Sequence, residues 1–297
     1  MENNRTFLIK AENDTYKLDL DQNGFPTFTQ KNIDFITAMI SYDSTYSKAS
    51  EEGGYETIFQ EPDFWGFSKL NAAIISLDKI NSTRLASEGR KSGGGRGREI
   101  TADYICNNIG SEKLRQRLID KDYSLVNQIA AAVKTKYNFS FASKFCAYVS
   151  RFALKMDNYC IYDNVVQAIL PYYYYIYVDG DGYRNLYNTN RSGNNQSIVE
   201  QKYREKSNTN GYDAYRQCVD DIIAGIRQKC GITVTYSQFD HILWYCFKGS
   251  ESKIQNALNC LPQKAKRYRP AISFPFLCIY WVLFFLKDGV IISPENN

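Results

Sequence analysis

From Ser124 to Leu170 the chain alternates helix signals with connections a few residues long, and this stretch limits what the rest can be. Ser124 to Lys136 is amphipathic through Leu125, Val126, Ile129 and Val133. Lys136 to Ser140 is a tight connection, and Ser140 is the predicted N-cap of the next helix. There Phe145, Cys146, Val149, Phe152 and Ala153 recur at i, i+1, i+4, i+7 and i+8, which makes one apolar face. Lys144 falls off that stripe, in the first turn. The positive end of the helix dipole disfavours an ammonium there and would lower the lysine pKa, as an amine nucleophile requires. Asn158 to Tyr162 reads as extended, and Asp163 then caps a short helix, Asn164 to Leu170, ending at Pro171. Singly, Lys144 is a solvated lysine and Asp163 a cap. Standing 19 residues apart (144 to 163) at the heads of two helices, they are a candidate pair.

Other chemistries lack material. One histidine, His241, is too few for most His-based metal or triad sites. The eight cysteines include no two spaced by two to four residues, so neither a zinc knuckle nor an iron–sulfur loop is signalled. MENNRTF opens polar and charged, unlike a signal peptide, so the expectation is reduced, buried thiols in a cytoplasmic protein. A net charge of +4 permits an anionic partner without requiring one. The 24 tyrosines supply amphipathic surface on which bases could stack, although coding bias enriches tyrosine too.

Elsewhere the chain reads as helices joined by polar loops. A small hairpin over 6–10 and 16–20, helices over 33–49 and 68–85, and an exposed Phe64-Trp65 come first. The run 89–99 mixes five glycines with Arg90, Lys91, Arg96 and Arg98, which predicts a flexible loop suited to phosphate contact or a plain linker. It fails the P-loop pattern. Thr101 caps a further helix, interrupted near Gly110 and continued over 111–121. The tyrosine run 172–177 has strand propensity. Asp179-Gly-Asp-Gly resembles a calcium loop, but Arg184 occupies the position that needs glycine. After a polar loop over 185–210, helices are expected at 214–230, 237–248 and 251–260. A basic run at 264–269 leads into 16 uncharged residues, 271–286, broken by Pro275. That is short of the ~20 apolar residues of a spanning helix, so burial is the favoured reading and membrane contact the lesser one.

At 140–170 the sequence resembles the helix-hairpin-helix superfamily of DNA glycosylases, nearest the 8-oxoguanine glycosylase branch. Lys144 matches the lysine at the head of the helix after the hairpin, and Asp163 the downstream aspartate that opens the next helix. The resemblance covers 124–170, with a fainter extension over 236–248. It departs at the hairpin, where Ser140 and Ala142 replace two glycines and Asn138-Phe139 replaces Leu-Pro.

The resemblance implies cleavage of an N-glycosidic bond in DNA. Asp163 would stabilise the positive charge that builds on the deoxyribose, and Lys144 would attack C1′ and allow β-elimination. Ser140 and Ser143 at the hairpin, with Arg90, Lys91, Arg96 and Arg98, would contact DNA. The extension implies a flipped-base pocket with Phe239 and Trp244 as walls and Asp240 reading an edge. No cofactor is implied, the partner is DNA, and divergence from the hairpin pattern admits a role against modified phage DNA. The alternative is a non-catalytic helical DNA-binding or protein-interaction module. The fold expectation is mainly α, two helical lobes flanking a cleft with a small β element near the N-terminus. The divisions are 1–120, 121–262 and a basic, hydrophobic tail, 263–297.

Overall fold

The computed structural model describes residues 18–42, 66–81, 85, 96–133, 137–178, 188–189, 195–196 and 211–262. Contacts divide the chain into residues 1–261 and 262–297; every element below lies in the first unit. The described part is mainly helical. In order come α1 (Gln30–Tyr42), α2 (Phe67–Asn81), α3 (Gly97–Tyr104), α4 (Ser111–Ile119), α5 (Ser124–Ala130), α6 (Phe139–Tyr148), α7 (Asn164–Tyr177), α8 (Gly211–Cys230), α9 (Tyr236–Phe247) and α10 (Glu251–Asn259). Single π-helical turns extend α3 (Ile105–Ile109) and α6 (Val149–Ala153). Asn188–Thr189 and Asn195–Gln196 pair antiparallel, Asn188 opposite Gln196. Of the expected N-terminal hairpin, residues 6–10 and 16–17 lie outside the described residues; Leu20 makes one antiparallel bridge, to Pro26.

Around the candidate pair the packing is dense. From Phe141 to Ser150 every residue is buried, so α6 is enclosed on all sides rather than along one stripe. α5 packs beside it, and the Asn138 amide donates to the Ala130 carbonyl at 3.0 Å, closing the hairpin. The extended segment before α7 is held by tyrosines of α8. Tyr212 and Tyr215 donate hydroxyls to the carbonyls of Cys160 and Ile161, each at 2.7 Å. An extended strand inside a helical core has no ladder partner, so these hydroxyls satisfy carbonyls that would otherwise be costly to bury.

Several expectations change. The helix over 164–170 does not stop at Pro171; α7 continues through it to Tyr177, and the tyrosine run is helical, not a strand. Tyrosine anchoring offsets the ~3 kcal/mol that an interior proline costs. Tyr173 donates to the Pro26 carbonyl at 2.7 Å, the Phe28 amide donates to Tyr177 at 3.1 Å, and Tyr172 donates to Asp21. The loop 89–99 is not irregular throughout, because Gly97 to Glu99 open α3. Thr101 therefore lies inside α3, its hydroxyl donating to the Gly97 carbonyl at 2.7 Å. The break at Gly110 stands, with φ of 83°. Gly225 admits close packing of α8 on α7, since a Cβ there would come 2.2 Å from the Tyr177 carbonyl oxygen.

Candidate functional site

Local chemistry sets each part of the site. Asn138, not Ser140, caps α6; its side chain accepts from the Phe141 amide at 3.0 Å. Starting α6 at Phe139 moves Lys144 from the first turn into the second. Asp163 caps α7 as its sequence position predicts: Oδ1 accepts from the amides of Val165 at 2.8 Å and Val166 at 3.1 Å. The other oxygen, Oδ2, stands 3.6 Å from Lys144 Nζ. Both residues are 8% exposed. The two sequence-selected residues thus meet as a buried ion pair, with one carboxylate oxygen committed to the helix cap and the other turned to the amine.

Ser143 makes this register. Its hydroxyl accepts from the Tyr162 amide at 3.0 Å and donates toward the Tyr162 carbonyl at 3.3 Å. Ser143 precedes Lys144 and Tyr162 precedes Asp163, so this clamp sets the lysine opposite the aspartate. Fully buried, Ser143 cannot reach DNA, and its expected contact gives way to this internal one. Ser140 remains half-buried in the first turn of α6.

α9 closes the site. Thr235 and Gln238 form a capping box at its start, each side chain bonding the other's backbone amide. Asp240, 8% exposed, faces the pair; burial first and the Asp163 charge second push its carboxyl up to about 7, while Arg151 and Lys144 act oppositely. Its Oδ1 is buried without a hydrogen-bond partner. Phe239, in contrast, belongs to the core, 1% exposed and stacked on Phe28 at 5.4 Å. Trp244 is half-buried, with the Lys248 ammonium 3.6 Å from its ring centroid.

The sequence reading missed a second charged layer. Arg151 Nε donates to Asp157 Oδ1 at 2.7 Å, and Asp157 Oδ2 accepts from the Ser237 amide at 2.8 Å and hydroxyl at 3.1 Å. Asp157 therefore anchors the start of α9 to the connection after α6. Arg151 and these amide bonds hold its carboxyl below the usual range against burial, which works the other way. His241 is pulled down to about 3, by burial first and Arg151 second, and is neutral at physiological pH. The six-residue step from Arg151 to Asp157 was visible in sequence; the link to Ser237 was not.

Of the basic loop, Arg98 donates to buried Asp78 at 2.7 Å, and Arg96 pairs with Glu99 at 2.8 Å on the surface. Arg90 and Lys91 lie outside the described residues, as do positions 43–49 of the helix expected over 33–49, Phe64-Trp65, the Asp179 run and the tail from 263. Among the described residues no group of three or more His, Cys, Asp or Glu is placed to hold a metal ion. None of their helices is long and apolar enough to cross a membrane. Their seven cysteines are free thiols; Cys146 and Cys160 are buried, whereas Cys230 and Cys260 are exposed, contrary to the expectation of uniform burial.

A family model described as HI_0787_N, N-terminal domain, matches residues 42–153. That span is under half of the chain; it includes Lys144 and ends before Asp163 and α9. No curated protein matches the sequence, and no solved structure matches the chain.

Proposed function

We propose that this protein is a DNA glycosylase that removes a modified or damaged base, with Asp163 and Lys144 as its catalytic pair. The observation that carries this reading is the 3.6 Å approach of Lys144 Nζ, in the second turn of α6, to Asp163 Oδ2 at the head of α7. Cleavage of an N-glycosidic bond builds positive charge at C1′, which a carboxylate held against the sugar stabilises. The cap on Oδ1 fixes the plane of Asp163 and leaves Oδ2 for that work. Lys144, after giving one ammonium proton to solvent water, attacks C1′ as the base departs and forms a Schiff base with the opened sugar, from which β-elimination nicks the strand. The free thiols fit a reducing cytoplasm. Modified bases of phage DNA are within the substrate class.

The test is incubation with duplexes carrying single modified bases, with and without borohydride, for wild type, Lys144→Gln and Asp163→Asn. Base release and covalent trapping by wild type, with trapping lost in Lys144→Gln, support the reading. Trapping that survives Lys144→Gln removes the lysine from its role. The second reading, a non-catalytic DNA-binding or interaction module, draws on the burial of the pair, as a structural ion pair would be buried. DNA binding without release from any duplex favours it.

A further inference from the structure

Asp240 is a buried polar group of this region that the roles given to Asp163 and Lys144 leave unused. It stands on α9, which packs on α7. It is more than nine-tenths buried, and its Oδ1 has no hydrogen-bond partner. A buried carboxyl oxygen left unmatched costs about 1–3 kcal/mol, more when charged, and the remaining neighbours make clear why it is not simply ionised and paired. The charges acting on it are Asp163 from the cap of α7, Lys144 from α6, Arg151 from the π turn after α6 and Asp157 from the connection beyond; two are anions and two are cations. The cations are already engaged, Lys144 with Asp163 and Arg151 with Asp157. The adjacent His241 is neutral near pH 7. Asp240 is thereby a carboxyl that carries its proton close to neutrality, in a site whose other carboxylate is committed to a lysine and two backbone amides.

A buried carboxyl with an unmatched oxygen can hold a proton for delivery, while a second carboxyl fixed by a helix cap and a lysine stays in place beside it. We propose that Asp240 is the general acid of the site, delivering its proton to the departing base while Asp163 and Lys144 act on the sugar. This rests on the glycosylase reading. The bond from C1′ to the base nitrogen breaks with its electron pair leaving on the base; the Asp240 proton passes to a ring nitrogen or carbonyl oxygen of that base, and Asp240 becomes a carboxylate. C1′ forms its new bond to the Lys144 nitrogen or to a water oxygen. The proton shed by that nucleophile returns to Asp240 and restores the acid. Asp240 Oδ1 finds in the flipped base the partner that it lacks in the free protein.

The experiment is single-turnover base release from pH 5 to 9 on duplexes carrying 8-oxoguanine, hypoxanthine, uracil or 5-hydroxymethyluracil. Each is compared with an electron-poor analogue whose ring nitrogen is more acidic and leaves with less need of a proton. Wild type is expected to lose rate as pH rises through about 7 on the ordinary base and to stay level on the analogue. Asp240→Asn is expected to be slower by about 100-fold or more on the ordinary base, level with pH, and close to wild type on the analogue. Asp240→Glu retains part of the rate and the falling limb. If Asp240→Asn does not fold, the wild-type difference between base and analogue decides alone. An unchanged rate and pH profile in Asp240→Asn, or a wild-type limb that persists on the analogue, overturns the assignment while leaving the glycosylase reading intact. No release by wild type from any duplex overturns both.

Discussion

The two ends of α7 bury polar groups in opposite ways. Toward its C-terminus, Tyr172, Tyr173 and Tyr177 each hold a hydrogen bond to the segment 21–28, and their rings pack against Phe25 and Phe28. Toward its N-terminus, Asp163 meets an ammonium, and the carboxyl of Asp240 beside it keeps one oxygen without a partner. One end is complete by itself. The other leaves one buried carboxyl oxygen unmatched, and that difference in satisfaction is the physical contrast between the two ends.

Variants can break that comparison. The largest effect is expected from Asp163→Ala, which strips the cap from α7 and leaves the Lys144 charge buried alone, costing about 3–5 kcal/mol. Urea unfolding measures it. Combining Lys144→Met with Asp163→Asn, which keeps an acceptor for the cap, should return stability to within about 1 kcal/mol of wild type while abolishing activity. If the double variant is as unstable as Asp163→Ala, the pair is structural and the contrast between the two ends fails. At the other end, Gly225→Ala forces a Cβ into the Tyr177 carbonyl and should cost about 1–3 kcal/mol without touching the chemistry. Tyr173→Phe leaves the Pro26 carbonyl unmatched and should cost about 1–2 kcal/mol, again with base release unchanged in the folded fraction. Smallest in stability is Ser143→Ala, about 1 kcal/mol. Its removal frees Tyr162 to shift, so it should lower kcat more than it raises KM, sharpening the view that this serine positions the pair.

What sequence disclosed follows from the range of the interactions concerned. Asp163 as a cap, the interruption at Gly110, and the helices expected at 214–230, 237–248 and 251–260 are local and were legible. The meeting of Lys144 with Asp163 was legible from their places near the starts of two neighbouring helices, but its burial was not, because that depends on the helices packed around α6. Pro171 misled because propensity weighs one residue, whereas the tyrosines that override it bond to a segment about 150 residues earlier. Ser140 attracted the cap because serine is a common one; Asn138, two residues before, competes better by its bond to Phe141. Phe239 and Asp240 are neighbours that point different ways on α9, one to Phe28 and one to Asp163, and only the packing separates them. Of the tyrosines offered as stacking surface for bases, Tyr212, Tyr215 and Tyr173 instead satisfy buried backbone at Cys160, Ile161 and Pro26.

Asp240 and its neighbour His241 carry one more consequence. In an unfolded chain at pH 5 the aspartate has lost its proton, from an ordinary value of 3.8, and the histidine has gained one, from 6.5. In the native protein the aspartate is protonated and the histidine is neutral. Folding at that pH amounts to handing a proton from residue 241 to residue 240, with no net uptake from solvent. The raised aspartate makes stability fall as pH climbs from about 4 to about 7, and the depressed histidine makes it rise from about 3 to about 6.5, so the two slopes oppose. Asp240→Asn should therefore unmask a stability that declines on acidification from pH 6.5 to 4, and His241→Gln one that declines on going from pH 4 to 7. Each slope is at most about 1.4 kcal/mol per pH unit, and the histidine's, being only partly covered, is the shallower. Urea midpoints at pH 4, 5 and 6 read both. In the intact pair the two slopes oppose and partly offset, so the adjacent residues flatten one another's contribution to the response to mild acid.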